Sequence, residues 1–532
     1  MRMNVTIWLL ALIIVFSVFA ENTANHKVII TYHDSLHTGP LTGRAYVMFS
    51  KSKNREPRLM AGNWFRPIPF YGRDFEEFKP GEEIVISESD LGFPQKSLSD
   101  LPAGKYYFQG LIHIYRRFKR SDGHEIWAPM DRWEGQKFNR SPGNLYSQID
   151  SVEIAPEEGL NLKIQLDKKI PPVKERADNK FIKNIKIQST LLSEFWGTQI
   201  NLGAVVLLPP GYDENTKKYP VLYKQGHFSE GMSGIFRGSG EFYKKWTSDN
   251  LPKMIIVHFF HPTPYYDDSY AVNSENNGPY GDAIMEELIP HIEEKFRIIR
   301  EPWARILSGC STGGWISLAL QVFHPDFFGG TWTMAPDPVD FSAFQMINIY
   351  KDENAFLPPF SPLGIERPLA RSDEGQVMMT VRQFSQMELV RGSKGRSGDQ
   401  LDAFFAVYGP VGEDGYPKPL FDKLTGEIDT TVAQYYKENF DLRYYLEKNW
   451  EWLGPKLVGK LHFICGDMDN FYLNQALYKL EEFLENTSEP YYAGSFVWGR
   501  PNKGHCWSPW GRNIEELFKI VDEYIWKNKP KE

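Results

Sequence analysis

The first group in this chain able to do chemistry is a serine between glycines, in Gly309-Cys310-Ser311-Thr312-Gly313. In a G-x-S-x-G pentapeptide the glycines permit a sharp strand-to-helix turn that exposes the hydroxyl. The strand-like run Ala304-Arg305-Ile306-Leu307 precedes it, and Gly314 to Val322 reads as a helix. The N-terminus of such a helix favours developing negative charge. The spacing predicts Ser311 as a nucleophile.

A serine hydroxyl is a weak nucleophile. It needs a base, and the base needs an acid to orient it. In strand-elbow hydrolases both follow the serine, acid before histidine. Beyond the elbow's own helix stand His462 and His505. His462 lies inside the strand-like Lys460 to Cys465, which suggests a buried structural group. His505 lies in the loop Pro501-Asn502-Lys503-Gly504-His505, before a closing helix, and is the expected base. The acid is expected in Cys465-Gly466-Asp467-Met468-Asp469-Asn470. Asp469 is favoured by its position three after the glycine that ends the strand, while Asp467 suits a turn cap. Oxyanion donors are expected from the backbone N–H of Thr312 and from the loop Gln225-Gly226-His227-Phe228, where either His227 or Phe228 donates. His258 and His261 are three apart on a strand, so they face opposite sides, and no other cluster has metal-ligand spacing. Neither metal nor cofactor is predicted.

The three cysteines stand beside these residues. Cys310 precedes the serine, Cys506 follows the histidine, and Cys465 lies four before Asp469. If Ser311 and His505 meet, Cys310 and Cys506 can approach the roughly 5.5 Å between Cα atoms that a disulfide needs. The alternative is three small buried thiols.

Two kinds of element must position these groups. Residues 26–166 read as strands, with Val28 to Tyr32, Arg44 to Phe49, Glu83 to Ser87, Lys105 to Tyr115 and Leu162 to Leu166 separated by Gly, Pro and Asp clusters. An all-β sandwich-like domain is predicted there, followed by a Lys- and Pro-rich linker over 167–180. From 181 to 528 strands alternate with helices. Gly203 to Leu208, Tyr219 to Tyr223, Met254 to Phe260 and Lys460 to Cys465 are strand-like, while Asp282 to Phe296 and Ile514 to Trp526 are helical. That alternation predicts a mostly parallel sheet with helices on both faces. The stretch of about 337–454 breaks it and is expected to be an insertion forming a lid or substrate wall.

Residues 1–20 begin with a basic Arg2 and an apolar run, and end in Val18-Phe19-Ala20, the pattern of an export signal cleaved before Glu21. The mature protein is then expected outside the cytoplasm, secreted or periplasmic, without stable membrane insertion. A net charge of −8 without a basic run argues against nucleic acid as a partner. Aromatic residues make up 15% of the chain, a surplus compatible with sugar- or aryl-binding surfaces and equally with a large core.

Leu207-Leu208-Pro209-Pro210-Gly211-Tyr212, then Tyr280-Gly281-Asp282, the following helix and the elbow, resemble the esterase D / enterochelin-esterase-like family of α/β-hydrolases. The resemblance spans roughly Phe181 to Trp526 without most of the insertion. It implies Ser311, Asp469 and His505 as a triad, in a group that includes feruloyl and acetylxylan esterases, siderophore esterases, S-formylglutathione hydrolases and mycolyltransferases. Cys310-Ser311, Asp469 and His505-Cys506 are also similar to the Cys-Ser…Asp…His-Cys arrangement of tannase-type feruloyl esterases, which implies a Cys310–Cys506 bond. The expected activity is hydrolysis of carboxylic esters through an acyl-enzyme, with acylated polysaccharide as one candidate substrate. An acyltransferase or serine peptidase on the same triad, and a non-catalytic glycan-binding protein, are the rivals.

Overall fold

The computed structural model describes residues 25–129, 137–226, 238–511 and 514–531. The predicted export signal and the donor candidates His227 and Phe228 lie outside the described residues.

The N-terminal strands form two facing sheets. His26–Tyr32 lies between Leu160–Leu166, parallel, and Ile84–Ser87, antiparallel. The second sheet is built around the pair Leu41–Ser50 and Gly104–Lys119. Val28, Ile30, Val47, Phe49 and Ile112 fill the space between the sheets. Side chains alternate faces along a strand. On Leu41–Ser50, Val47 and Phe49 therefore point into this sandwich, while Tyr46 and Met48 join the core of the following domain. Both faces are covered, and the whole strand is buried.

The larger sheet has eight strands: β1 (Ile182–Ser189), β2 (Ile200–Leu207), β3 (Val221–Lys224), β4 (Ile255–Phe260), β5 (Arg305–Ser311), β6 (Gly330–Pro336), β7 (Leu461–Gly466) and β8 (Ser495–Gly499). Their spatial order is β1-β2-β4-β3-β5-β6-β7-β8. The pairs β1–β2 and β2–β4 are antiparallel, and the remaining pairs are parallel. Ligands of such sheets gather at the carboxyl ends of the parallel strands. Helix α1 (Thr312–Phe323) leaves directly from β5, and α7 (Ile514–Asn528) closes the chain. The helix expected over 282–296 runs from Tyr280 to Lys295 with a widened middle turn at Ala283–Leu288. Pro290 follows that turn and lacks the N–H that a regular ladder needs.

Between β6 and β7 the insertion carries α2 (Val381–Arg391), α3 (Gln400–Tyr408), α4 (Thr430–Asn439) and α5 (Leu442–Leu457), with α6 (Asn474–Glu485) following β7. It packs between the two sheet systems. Arg44 of the sandwich donates from Nε to the Val390 carbonyl (2.9 Å) and from Nη2 to that of Leu389 (2.9 Å). Tyr46 donates to the carbonyl of Arg391. A helix leaves its last carbonyls without intrahelical donors, and a cation there also meets the negative end of the helix dipole. The sandwich thus caps the C-terminus of α2. Inside the insertion, Lys423 is buried between the carboxylates of Glu388 and Asp402. Among the described residues no helix is long and apolar enough to cross a membrane.

Candidate active site

β5 ends in Ser311, held at φ 58° and ψ −125°, and α1 starts with the next residue. A non-glycine residue in this region costs on the order of 1–3 kcal/mol and persists only where its surroundings enforce it. Two glycines make the enforcement feasible. A Cβ on Gly309 would lie 2.0 Å from the carbonyl oxygen of Gly313, and one on Gly313 would lie 2.3 Å from that of Gly226. Larger residues would push the strand, the helix and the loop after β3 apart. Thr312 heads α1 and is fully buried. Its backbone N–H belongs to the first helical turn, where no intrahelical carbonyl can accept it.

His505 meets Asp469 through Nδ1 and Oδ2 at 2.6 Å. The other oxygen of Asp469 accepts the backbone N–H groups of Phe471 (2.9 Å) and Leu473 (3.2 Å). Asn470 Oδ1 accepts the N–H of His505 at 2.8 Å, and the Phe471 ring stands edge-on to the imidazole at 5.0 Å. Burial opposes charging His505, but the nearby Asp469 carboxylate outweighs it and raises the imidazole above its ordinary value, with a further contribution from Asp337. Asp467 does something different: it accepts the N–H of Lys503 at 3.0 Å and so braces the loop carrying His505. His462 stacks on Trp332 at 4.5 Å and contacts Ser495 through Nδ1, while burial lowers it to about 4. The sequence expectation that His462 is a buried structural group agrees with this.

Cys310 and Cys506 are joined by a disulfide, with Cα atoms 5.9 Å apart across 196 positions of sequence, and Cys465 is a buried thiol. The elbow and the His505 loop are therefore tied covalently, one residue away from Ser311 and from His505. In the chain-entropy account a loop this long sets a ceiling of about 5 kcal/mol on the stabilisation. Cys310, His505 and Cys506 also form the one tight grouping of metal-ligand types among the described residues. Their sulfurs are bonded to each other, which removes two of the three ligands.

One residue at the centre of the site was missed by sequence reasoning. Asp337 follows the last residue of β6 and is buried against Ser311, its Oδ1 accepting from Ser311 Oγ at 3.4 Å. Its Oδ2 accepts from Tyr270 (2.7 Å), Thr312 (3.1 Å) and Gln400 (3.4 Å). Burial raises Asp337 to about 6, against the pull of these donors and of His505. The available signal was position alone: an acid directly after a parallel strand lands at the ligand edge of the sheet.

Ser311 lines a small cavity of about 60 Å³. Its apolar wall includes Trp64, Leu369, Phe384, Phe404 and Phe471, and Asp337, Gln345 and Gln400 form a polar side. Phe384 and Phe404 come from the insertion and Trp64 from the N-terminal region. Trp64 is fixed by a hydrogen bond from Nε1 to Asp399 (3.1 Å) and by edge contacts with Phe384 and Phe471.

Residues 197–378, which include β2 to β6 and the elbow, match a family model described as "Putative esterase". An uncharacterized protein, YbbA of Bacillus subtilis (strain 168), is 24% identical over 205 residues, covering 36% of this chain and 79% of its own. Among solved structures, a ferulic acid esterase is similar at 16% identity and a TM-score of 0.37, covering 65% of this chain and all of its own. The S-formylglutathione hydrolase FrmB of Staphylococcus aureus is similar at 13% identity and a TM-score of 0.35, covering 64% and 99%. With the "Putative esterase" match running through the elbow and the sheet that carries it, this chain is a serine carboxylic-ester hydrolase with an α/β-hydrolase fold.

Proposed function

We propose that the protein is an exported esterase that removes aryl acyl groups of the feruloyl type from polysaccharide by a Ser-His-Asp acyl-enzyme mechanism. Ser311 attacks the ester carbonyl while His505 takes its proton, and His505 then protonates the leaving alcohol. Asp469 holds the imidazole with its proton on Nδ1 and stabilises the imidazolium. Thr312 N–H, with an N–H of His227 or Phe228, receives the oxyanion. Water repeats the sequence on the acyl-enzyme to release the acid. Residues 1–20 direct export.

The observation that carries this reading is the 2.6 Å His505–Asp469 hydrogen bond on a loop covalently tied to the elbow of Ser311. The aryl preference rests on the aromatic side chains that line the cavity beside the serine. A panel of methyl ferulate, an acetyl ester and a peptide tests it. Methyl ferulate is expected to give the highest kcat/KM and the peptide none; faster cleavage of the peptide overturns the reading.

Asp337 gives the reading a pH signature. Its carboxyl is raised from 3.8 to about 6 in the fold, so its stabilising contribution is complete below 3.8 and lost as pH rises through 6. The displacement corresponds to an upper bound of about 3 kcal/mol. Asp337→Asn should therefore melt higher than wild type at pH 8 and near the wild-type value at pH 4. The substitution also removes a charge that raises His505. The acid limb of kcat/KM, which follows the neutral imidazole, should move to lower pH. Melting curves and rate profiles over pH 4–9 check both shifts.

A further inference from the structure

A second cavity, of about 310 Å³ and open to solvent, is separate from the one that Ser311 lines. Trp64 belongs to the walls of both. Around the second stand three cations, Lys137, Arg140 and Arg391, and one acid, Asp267. Lys137 and Arg140 begin and end a tight turn, closed by the N–H of Arg140 on the Lys137 carbonyl at 2.8 Å.

Cations gathered around one cavity repel one another unless carboxylates neutralise them, and here the neutralisation is incomplete. Arg391 is paired: its side chain is 11% exposed, and Nη1 meets the carboxylate of Asp399. The same carboxylate accepts from Trp64 Nε1 at 3.1 Å and from the N–H of Gln400 at 3.1 Å, so it is a fixed part of the wall. Lys137 and Arg140 make no ion pair among the described residues. Asp267 does not supply one. Both of its oxygens are buried behind the wall. Burial also pushes this carboxyl up to about 7, with Lys137 pulling the other way, so its charge is partly suppressed at neutral pH.

A cleft with surplus positive charge on its walls concentrates anions. The groups on offer select which kind. Arg140 keeps its whole guanidinium fork, which matches the two oxygens of a carboxylate, and Lys137 adds a point charge beside it. Two unpaired cations stand against one acid of suppressed charge. That surplus suits a singly charged group better than a dianion. The shared indole relates the cavity to catalysis, because a chain that leaves the acyl cavity past Trp64 enters this one.

Building on the esterase reading above, we propose that this cavity binds a carboxylate carried on the alcohol half of the ester, held by Arg140 and Lys137. Trp64 lies between that carboxylate and the reacting centre. The favoured leaving alcohol is then itself an acid, and for a polysaccharide this means an acidic chain.

Binding is measured apart from turnover, by calorimetry on Ser311→Ala, which cannot form the acyl-enzyme. Two probe esters share the feruloyl group and differ in charge alone. One has a straight-chain hydroxy acid as its alcohol, and the other has the corresponding amide. Across a series of chain lengths, one length should bind about tenfold more tightly as the acid than as the amide, the gain expected from hydrogen bonds to a charged group. The preference should shrink as ionic strength rises. Adding Arg140→Gln and Lys137→Gln should bring the two affinities together, and Arg140→Glu should favour the amide. Acid and amide are compared on the same variant, so a folding defect does not imitate the effect. Equal affinities at every length in Ser311→Ala, or a preference that survives these substitutions, overturn the subsite and leave the esterase reading intact. If the preference is found but wild type cleaves neither probe nor methyl ferulate, the esterase reading falls and the anion site stands.

Discussion

Ser311→Ala should reduce kcat by about a million-fold, the scale seen when a triad nucleophile is removed. It should also abolish covalent labelling by a fluorophosphonate, which wild type is expected to take up at a single site. The change removes one oxygen and leaves the backbone demand as it was, since alanine at φ 58° is as strained as serine. Among the described residues, the side-chain hydrogen bond lost is the long one to Asp337, at 3.4 Å. The fold should therefore melt within a few degrees of wild type, and substrate should still bind in the cavity. Rate above water should persist at about 10³–10⁴-fold, from oxyanion donors and binding alone. The measurement is kcat on methyl ferulate together with gel labelling. Retention of more than about 1% of kcat would place the nucleophile elsewhere.

How much of this site the sequence discloses depends on how local each signal is. The elbow is wholly local: two glycines, a strand before and a helix after, and the structure holds Ser311 as that pattern demands. His505 and Asp469 are legible through chain order and strand ends, and they meet at 2.6 Å. Asp467, left as the alternative, braces Lys503 instead. Asp337 is different in kind. Its partners Tyr270, Thr312 and Gln400 lie far apart in sequence, and Gln400 reaches it only when the insertion folds back over the sheet.

Helix α3 of the insertion is hidden for a related reason. A half-exposed helix shows a 3.6-residue alternation. In α3, however, every residue from Leu401 to Tyr408 is buried, so Leu401-Asp402-Ala403-Phe404-Phe405-Ala406-Val407-Tyr408 carries no polar face to reveal the period. The same two-sided covering applies to the strand Leu41–Ser50. There, β-branched and aromatic residues still give the strand away, and what the sequence conceals is the second core behind it. Trp64 escaped notice because its importance lies in two cavities formed by other segments. A lone tryptophan in a Gly- and Pro-rich stretch carries no period and no motif.

Asp469→Asn should lower kcat by about 10⁴-fold, more than either Asp467→Asn or Asp337→Asn. The hydrogen bonds around the residue dictate how the amide must sit. Oδ1 of Asp469 already receives two backbone N–H groups, from Phe471 and Leu473. An asparagine would keep its carbonyl oxygen there, because turning the amide would set an N–H against two N–H groups. Its NH₂ would then face Nδ1 of His505, where Asp469 now accepts. Nδ1 would have to become an acceptor, and the neutral imidazole would carry its proton on Nε2. That tautomer has no lone pair with which to take the serine proton. The variant would also lose the charge that raises His505, so the little activity left should depend on pH differently from wild type. Nitrogen chemical shifts of the imidazole report the tautomer directly, independent of rate. Nε2 should titrate as the basic nitrogen in wild type and Nδ1 in Asp469→Asn. If Asp337→Asn proves the more damaging of the two, the acid that serves His505 is the one after β6, and the 2.6 Å pair to Asp469 is structural.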